Sequence, residues 1–311
     1  MFEGRLSVGA IVEKAKHPLT LLVVQLLFGL FPIAAKKAFE EFDPFPVLGL
    51  RLAGAAFFLL VLHLFLVKDA IPIRTEWKRV LLLSMLGVVL NMGLFIIGLK
   101  FTTAVNAVLV ITTIPVFTYG LAVLMGKETL GPQRAIGIAV ALAGVVYLIG
   151  SSYQVSPKGA LGDFLVMLNC LCYSAFLVLA RPMTQKYDAL SLTTWMFVVG
   201  AIVFLPLGLW FGLRGQLGTA SHEALGWMLY IILGATVLTY VLSTRVLRHV
   251  PASTVAIFPY VQPIFTAIAA YLILDSRLEW KVLPAAALVF AGVWLVAMRK
   301  PKSIEGQTVV E

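Results

Sequence analysis

Apolar residues in this chain come in blocks of about 20, the length needed to cross the hydrocarbon core of a bilayer as a helix. Short polar connections separate them, and the pattern predicts ten membrane spans. Five lie in the first half, at Pro18–Ala38, Pro46–Val67, Val80–Leu99, Thr103–Met125 and Arg134–Ile149. The other five are Leu161–Ala180, Leu192–Phe211, Leu225–Leu247, Ala252–Leu274 and Trp280–Met298. Residues 1–16 read as a basic leader expected in the cytoplasm, 151–160 as a polar linker between halves, and 300–311 as a polar tail with too little apolar surface to pack. The halves are then 17–150 and 161–299.

The same pattern occurs twice. A shift of 148 positions, without a gap, lays Thr102–Leu148 on Val250–Val296. Pro115 then falls on Pro263, Phe117 on Phe265, Thr118 on Thr266, and Ala143-Gly144-Val145 on Ala291-Gly292-Val293. Chance matching of apolar residues does not readily place a mid-helix proline and an Ala-Gly-Val triplet in one register. An internal repeat fixes the architecture before other features are read.

Composition agrees with the pattern. Of 311 residues 60% are hydrophobic and 13% charged, where a soluble domain carries about 25% charged residues. The net charge of +9 would suggest nucleic acid in a soluble protein. Here the basic residues sit in short loops and set orientation instead. With both termini on one side, that side's loops hold Arg5, Lys14, Lys16, Lys68, Arg74, Lys78, Arg79, Lys127, Arg134, Arg181, Lys186, Arg245, Arg248, Arg299, Lys300 and Lys302, sixteen in all, against seven opposite. Both termini are therefore expected in the cytoplasm, in a cytoplasmic (inner) membrane. Five spans per half is an odd number, so the second half enters the bilayer inverted relative to the first. Inverted repeats are a recurring transporter design, with the substrate site near the midplane between halves.

The repeat carries a resemblance. Ala104, Pro115, Gly126-Lys127-Glu128-Thr129-Leu130, Gly137 and Ala143-Gly144-Val145 resemble the repeat signature of EamA-type transporters of the drug/metabolite transporter superfamily. The second copy, with Ala252, Pro263, Asp275-Ser276-Arg277-Leu278 and Ala291-Gly292-Val293, is looser, and Ser276 stands where the first copy has Glu128. Phe28-Gly29 and Asp43-Pro44 through Arg51 are similar to family positions as well. The resemblance covers nearly the whole chain and implies a ten-helix secondary transporter, often an exporter of amino acids or related metabolites. It also implies a central cavity lined by spans one, three, four, six, eight and nine.

Several residues could serve such a cavity. Pro115 and Pro263 each remove a helical hydrogen bond and free the carbonyl four residues earlier, on Ile111 and Pro259. Carbonyls freed in hydrocarbon need protein or cavity water. These prolines are therefore expected to face inward, as hinges or as static kinks. Gln25, Asn91, Asn106, Thr112, Thr113, Asn169, Tyr173, Ser174, Thr239, Tyr240, Tyr260 and Gln262 are polar residues inside apolar blocks. Helix-to-helix hydrogen bonding is the alternative use for any one of them. The substrate-binding set is expected to be Asn91, Tyr173, Tyr240, Tyr260, Gln262, Gln25, Thr112 and Asn169.

No Asp or Glu lies mid-span, although intramembrane carboxylates are the usual proton relays and partners of organic cations. The resemblance sharpens this, since small multidrug relatives use a glutamate in the first span where Gln25 is the comparably polar residue here. A neutral or zwitterionic substrate is expected. Arg51, near the start of the second span, is expected to snorkel or to pair with Glu40, Glu41 or Asp43, the alternative being attraction of a substrate carboxylate at the outer mouth. His63 is read as packed or interfacial. Gly137 and Gly144 are a packing signal on span five, and Trp77, Trp227 and Trp280 are interfacial anchors. Cys170 and Cys172 read as small hydrophobes.

No enzyme motif, phosphate loop or metal-ligand cluster is found, so neither catalysis, cofactor nor metal is expected. The sequence thus reads as an all-α membrane protein of ten transmembrane helices in two inverted five-helix repeats. Its partners are expected to be a small-molecule metabolite and the lipid bilayer, with no nucleic acid, as a monomer or weak homodimer. The expected function is export of small metabolites such as amino acids by alternating access. Alternatives are a nucleotide-sugar or phosphorylated-sugar exchanger, which needs several cavity cations, and a non-transporting membrane protein.

Overall fold

The computed structural model describes residues 8–67, 71–102, 104–149, 157–274, 280 and 282–297. Residues 1–7 of the leader, 151–156 of the linker, the second-copy turn Asp275–Leu278 and the tail lie outside them, as does the side chain of Lys36.

Every element described is helical. The first half contains α1 (Val8–Ala38), α2 (Pro44–Leu66), α3 (Ile73–Ser84), a π-helical turn at Met85–Val89, α4 (Leu90–Phe101), α5 (Ala104–Ile111), α6 (Ile114–Leu124) and α7 (Pro132–Ile149). The second contains α8 (Pro157–Lys186), α9 (Ala189–Trp210), the short α10 (Leu213–Thr219), α11 (His222–Ile232), a second π turn at Leu233–Leu238, and α12 (Thr239–Leu247). It ends with α13 (Ala252–Ile257), a 3-10 turn at Phe258–Val261, α14 (Gln262–Leu274) and α15 (Val282–Ala297). Among the described residues seven helical runs are long and apolar enough to cross a membrane: Lys16–Ala35, Pro44–Leu66, Ile73–Phe101, Gly159–Lys186, Ala189–Trp210, His222–Leu247 and Ala252–Ile273. Three shorter apolar helices, Leu109–Leu124, Pro132–Leu148 and Leu283–Ala297, occupy the other expected spans.

Local sequence sets the boundaries. Pro44 opens α2 at its first position, where the missing N–H costs nothing. Asp188 and Ser221 cap α9 and α11, accepting from Leu190 N at 2.7 Å and Ala224 N at 3.1 Å. Gly126 has φ of 65°, which lets Lys127 N bond back to Ala122 O at 2.8 Å and closes α6. The Gly-Lys-Glu of the repeat motif is thus a helix stop that delivers Glu128 to the next turn. Span four is not one helix as expected. Thr112 and Thr113 close tight turns onto Leu109 O and Val110 O through both backbone and hydroxyl, just ahead of Pro115.

Helix pairing shows the halves related by a two-fold operation. The first helix of each half packs against the third and fourth spans of the other: α1 against α11, α12 and α14, and α8 against α4, α5 and α6. The self-paired elements are α2 on α9 and α7 on α15. At the last crossing Gly137 meets the Gly292 carbonyl and Gly144 meets the Ala285 carbonyl, each a backbone approach of 2.9 Å for a notional Cβ. The 148-residue shift exchanges these two contacts, since it maps 137 onto 285 and 144 onto 292. The two helices therefore run antiparallel, as an inverted repeat requires. The same shift carries the π turn at 85 onto that at 233, and the Thr112–Thr113 break onto 260–261 inside the 3-10 turn. The irregularities, like the helices, were duplicated.

A side chain at Gly292 would sit 2.5 Å from Gly137 O and 2.6 Å from Ala141 N, both backbone atoms that cannot turn aside. Gly292→Val is expected to cost about 1–3 kcal/mol or more through overpacking, read as a lower melting temperature and loss of a monodisperse peak in detergent. Gly120→Ala, with nothing within 4 Å of the new methyl, is the control and should leave both unchanged. Equal behaviour of the two variants would contradict the crossing.

Candidate functional site

A cavity lies where the two halves meet, with about 740 Å3 of space free of atoms, open mouth included. Gln25, Phe28 and Phe31 of α1, Arg51 of α2, Asn91, Met92 and Phe95 of α4, and Ile111 and Ile114 flanking the α5–α6 break line one side. Asn169 and Tyr173 of α8, Tyr240 of α12, Pro259 of the 3-10 turn and Gln262 of α14 line the other. Both residues whose carbonyls the repeat prolines release, Ile111 and Pro259, are in the wall.

The cavity side chains answer the backbone of the opposite half. In a π turn the ladder slips by one residue, so carbonyls lose their usual partner, and hydrocarbon supplies no replacement. Tyr240 donates to Gly87 O at 3.3 Å, and to Asn91 Oδ1 at 3.4 Å. Arg51 Nη2 reaches Ala235 O at 3.4 Å, while its Nε donates to Thr236 Oγ1 at 2.7 Å. Gly87 and Ala235 are equivalent under the 148-residue shift, so each π turn receives a donor at the same carbonyl. Thr236 completes its turn by donating to Ile231 O at 2.7 Å.

Carbonyls in α1 and α4 are met in the same way. Pro32 has no N–H for Phe28 O, and Gln262 Nε2 takes that role at 3.2 Å. Tyr230 and Thr266 donate to the neighbouring Leu27 and Gly29 carbonyls at 2.6 and 2.9 Å. Asn169 Nδ2 donates to Asn91 O at 2.6 Å. Five buried side-chain atoms stay unanswered among the described residues, Gln25 Oε1, Thr118 Oγ1, Arg134 Nε, Arg181 Nε and Tyr260 Oη, and of these residues Gln25 lines the cavity.

Six of the eight expected binding residues, Asn91, Tyr173, Tyr240, Gln262, Gln25 and Asn169, come together in this wall. Thr112 and Tyr260 do not. Thr112 is buried with its hydroxyl on Leu109 O at 2.6 Å, and Tyr260 is fully buried among core residues. Pro115 and Pro263 are both buried within the helix bundle and not turned to lipid.

Arg51 departs from expectation. It is 5% exposed, lies under the Phe31 ring at 4.6 Å, and pairs with none of the nearby acids. Glu40 pairs with Lys37, and Asp43 accepts from Gln216 Nε2 at 2.6 Å. Glu41 is held by the Ser221 hydroxyl and amide, which keep its carboxyl below the ordinary carboxylate value. The helix starts at Pro44, so even Asp43, the nearest of these acids in sequence, lies about two turns before Arg51. The clue in the sequence was an arginine with only Val47, Leu48, Gly54 and Ala55 at helical reach.

The opposite end of the bundle is tied by a buried ion pair. Glu128, delivered by the Gly126 turn, pairs with Arg134 and accepts from Ser253 Oγ at 2.5 Å and Ser253 N at 3.2 Å. This joins the first repeat to the start of α13 in the second. His63 at the same end packs edge-on to Trp195 and contacts Ser191 Oγ at 3.1 Å.

The comparisons with known proteins agree with this geometry. The model of the EamA-like transporter family matches residues 16–150 and again 160–298. An uncharacterized transporter of Archaeoglobus fulgidus is 29% identical over 286 residues, covering 91% of this chain and 98% of its own. The WAT1-related protein At3g18200 of Arabidopsis thaliana is 25% identical, with 95% and 85% covered. A solved crystal structure superposes with a TM-score of 0.75 over 90% of this chain and 96% of that one, at 14% identity, which speaks for the fold alone.

Removing one partner of a buried ion pair strands the other charge, at about 3–5 kcal/mol. Glu128→Ala is therefore expected to lower thermal stability in detergent strongly, and Glu128→Leu combined with Arg134→Met should recover most of the loss. A double variant no better than the single would remove the pair from the account.

Proposed function

Because the chain belongs to the EamA-like transporter family, we propose that it carries a small organic metabolite across the cytoplasmic membrane by alternating access, amino acids being the first class to test and export the direction. The observation that supports this best is the cavity at the junction of two inverted halves, walled by polar side chains from both. In such a protein, rocking one half against the other around a fixed site exposes that site to each side in turn. The π turns and the proline breaks lie in the third, fourth, eighth and ninth spans, where a change of helix direction would be needed.

In this reading the three shorter apolar helices also cross, giving ten spans in units 17–150 and 161–299, with both termini cytoplasmic. At 18 residues, α7 is about 27 Å long, close to the hydrocarbon thickness. Asn91, Tyr173, Tyr240, Gln262, Gln25 and Asn169 would contact substrate, and Pro115 and Pro263 would act as hinges.

The test is flux into proteoliposomes over a panel of radiolabelled amino acids. Saturable uptake is expected, reduced at least tenfold by Tyr240→Ala or Gln262→Ala without loss of folded protein, since each faces the cavity and caps an opposing carbonyl. Absence of saturable flux for every amino acid, with folded protein in the membrane, would sink the amino-acid reading.

A further inference from the structure

The guanidinium of Arg51 is a permanent cation in the cavity wall, and among the described residues no carboxylate pairs with it. Nε is committed to Thr236 and Nη2 makes one long bond to Ala235 O. Nη1 makes no hydrogen bond among the described residues. Among the described residues no Asp or Glu lines the cavity, and Arg51 is the one Lys or Arg that does. A buried charge held only by neutral dipoles is under-compensated. The geometry that satisfies it best is a planar carboxylate accepting two parallel N–H bonds.

The rest of the wall is chemically different. Phe28, Phe31, Phe95 and Tyr173 present aromatic surface, and Phe31 already covers one guanidinium face. Gln25 is 4% exposed, and its Oε1 is an acceptor without a donor among the described residues. We infer that the substrate enters as an organic carboxylate anchored on Arg51, with an apolar or aromatic body against the phenylalanines and a donor for Gln25, either ammonium or hydroxyl. This rests on the transporter reading above and narrows its substrate class. An amine without a carboxylate would meet a like charge in the wall. A phosphate would bring two negative charges to one cation.

A matched set separates these: phenylacetate, phenylalanine, phenylalaninamide, phenethylamine and phenyl phosphate. Binding to purified protein is read by calorimetry, and flux by uptake into proteoliposomes. The two carboxylates are expected to bind and the amide and amine to fail. Arg51→Gln should weaken carboxylate binding at least tenfold, and Arg51→Lys should recover part of it. The wild-type selectivity stands as a test even where a variant misfolds. Equal binding of phenylalaninamide and phenylalanine, tighter binding of phenyl phosphate than of phenylacetate, or no binding by any member would overturn the inference. Flux without preference for a carboxylate would overturn it and leave transport intact. Carboxylate binding that needs Arg51, with no flux, would uphold the site and remove the transport reading.

Discussion

A peptide carbonyl released from its helix inside hydrocarbon must find another donor, and that constraint organises this molecule. Two π turns, two proline breaks and Pro32 in α1 all release or strain backbone groups near the middle of the bundle. Donors from the opposite half meet several of them: Tyr240 on Gly87, Arg51 on Ala235, Gln262 on Phe28. Each such bond is worth little in a membrane, about 0.6 kcal/mol on average. Their placement matters more than their sum, because they lie across the junction of the halves. Tyr240, Arg51 and Gln262 thus both bridge the halves and line the cavity.

Duplication explains the symmetry but not the two ends. Glu128, Arg134 and Ser253 join the halves at one end, while the 148-residue shift puts Ser276, Val282 and Val105 at the corresponding positions. The second repeat therefore cannot build the same ion pair. The other end is tied instead by exposed bonds from Ser221 to Glu41 and between Gln216 and Asp43. Exposed polar contacts hold weakly, whereas drawing α13 away would take from the buried Glu128 carboxylate its two Ser253 donors. The two ends of the bundle are therefore held by different chemistry.

The helix blocks and the two-fold relation were legible because hydrophobic length and an ungapped repeat are properties of the sequence itself. The π turns were not, since Met85-Leu-Gly-Val-Val89 is ordinary apolar material whose slipped register depends on Tyr240, 151 positions beyond Val89. Polarity identified residues that avoid lipid but not the helix face they occupy. Tyr260 and Gln262 are two positions apart, about 200° around a helix, so one lines the cavity and the other fills the core. Thr112 was misplaced for a related reason, its hydroxyl being spent on its own helix. Arg51 was read against acids close in sequence, when its partners are Thr236 and Ala235 in the other half. Contacts between the halves are what a single pass along the chain cannot supply.

The account depends on one space being reached from both faces of the membrane. A background without Cys170 and Cys172, carrying a single cysteine at Gln25 or at Asn91, permits a direct measurement with a membrane-impermeant thiol reagent. In right-side-out and in inverted vesicles alike, both positions should label, and more slowly when substrate is present. Labelling from one face only, whatever the conditions, or from neither, would contradict a cavity that alternates between them.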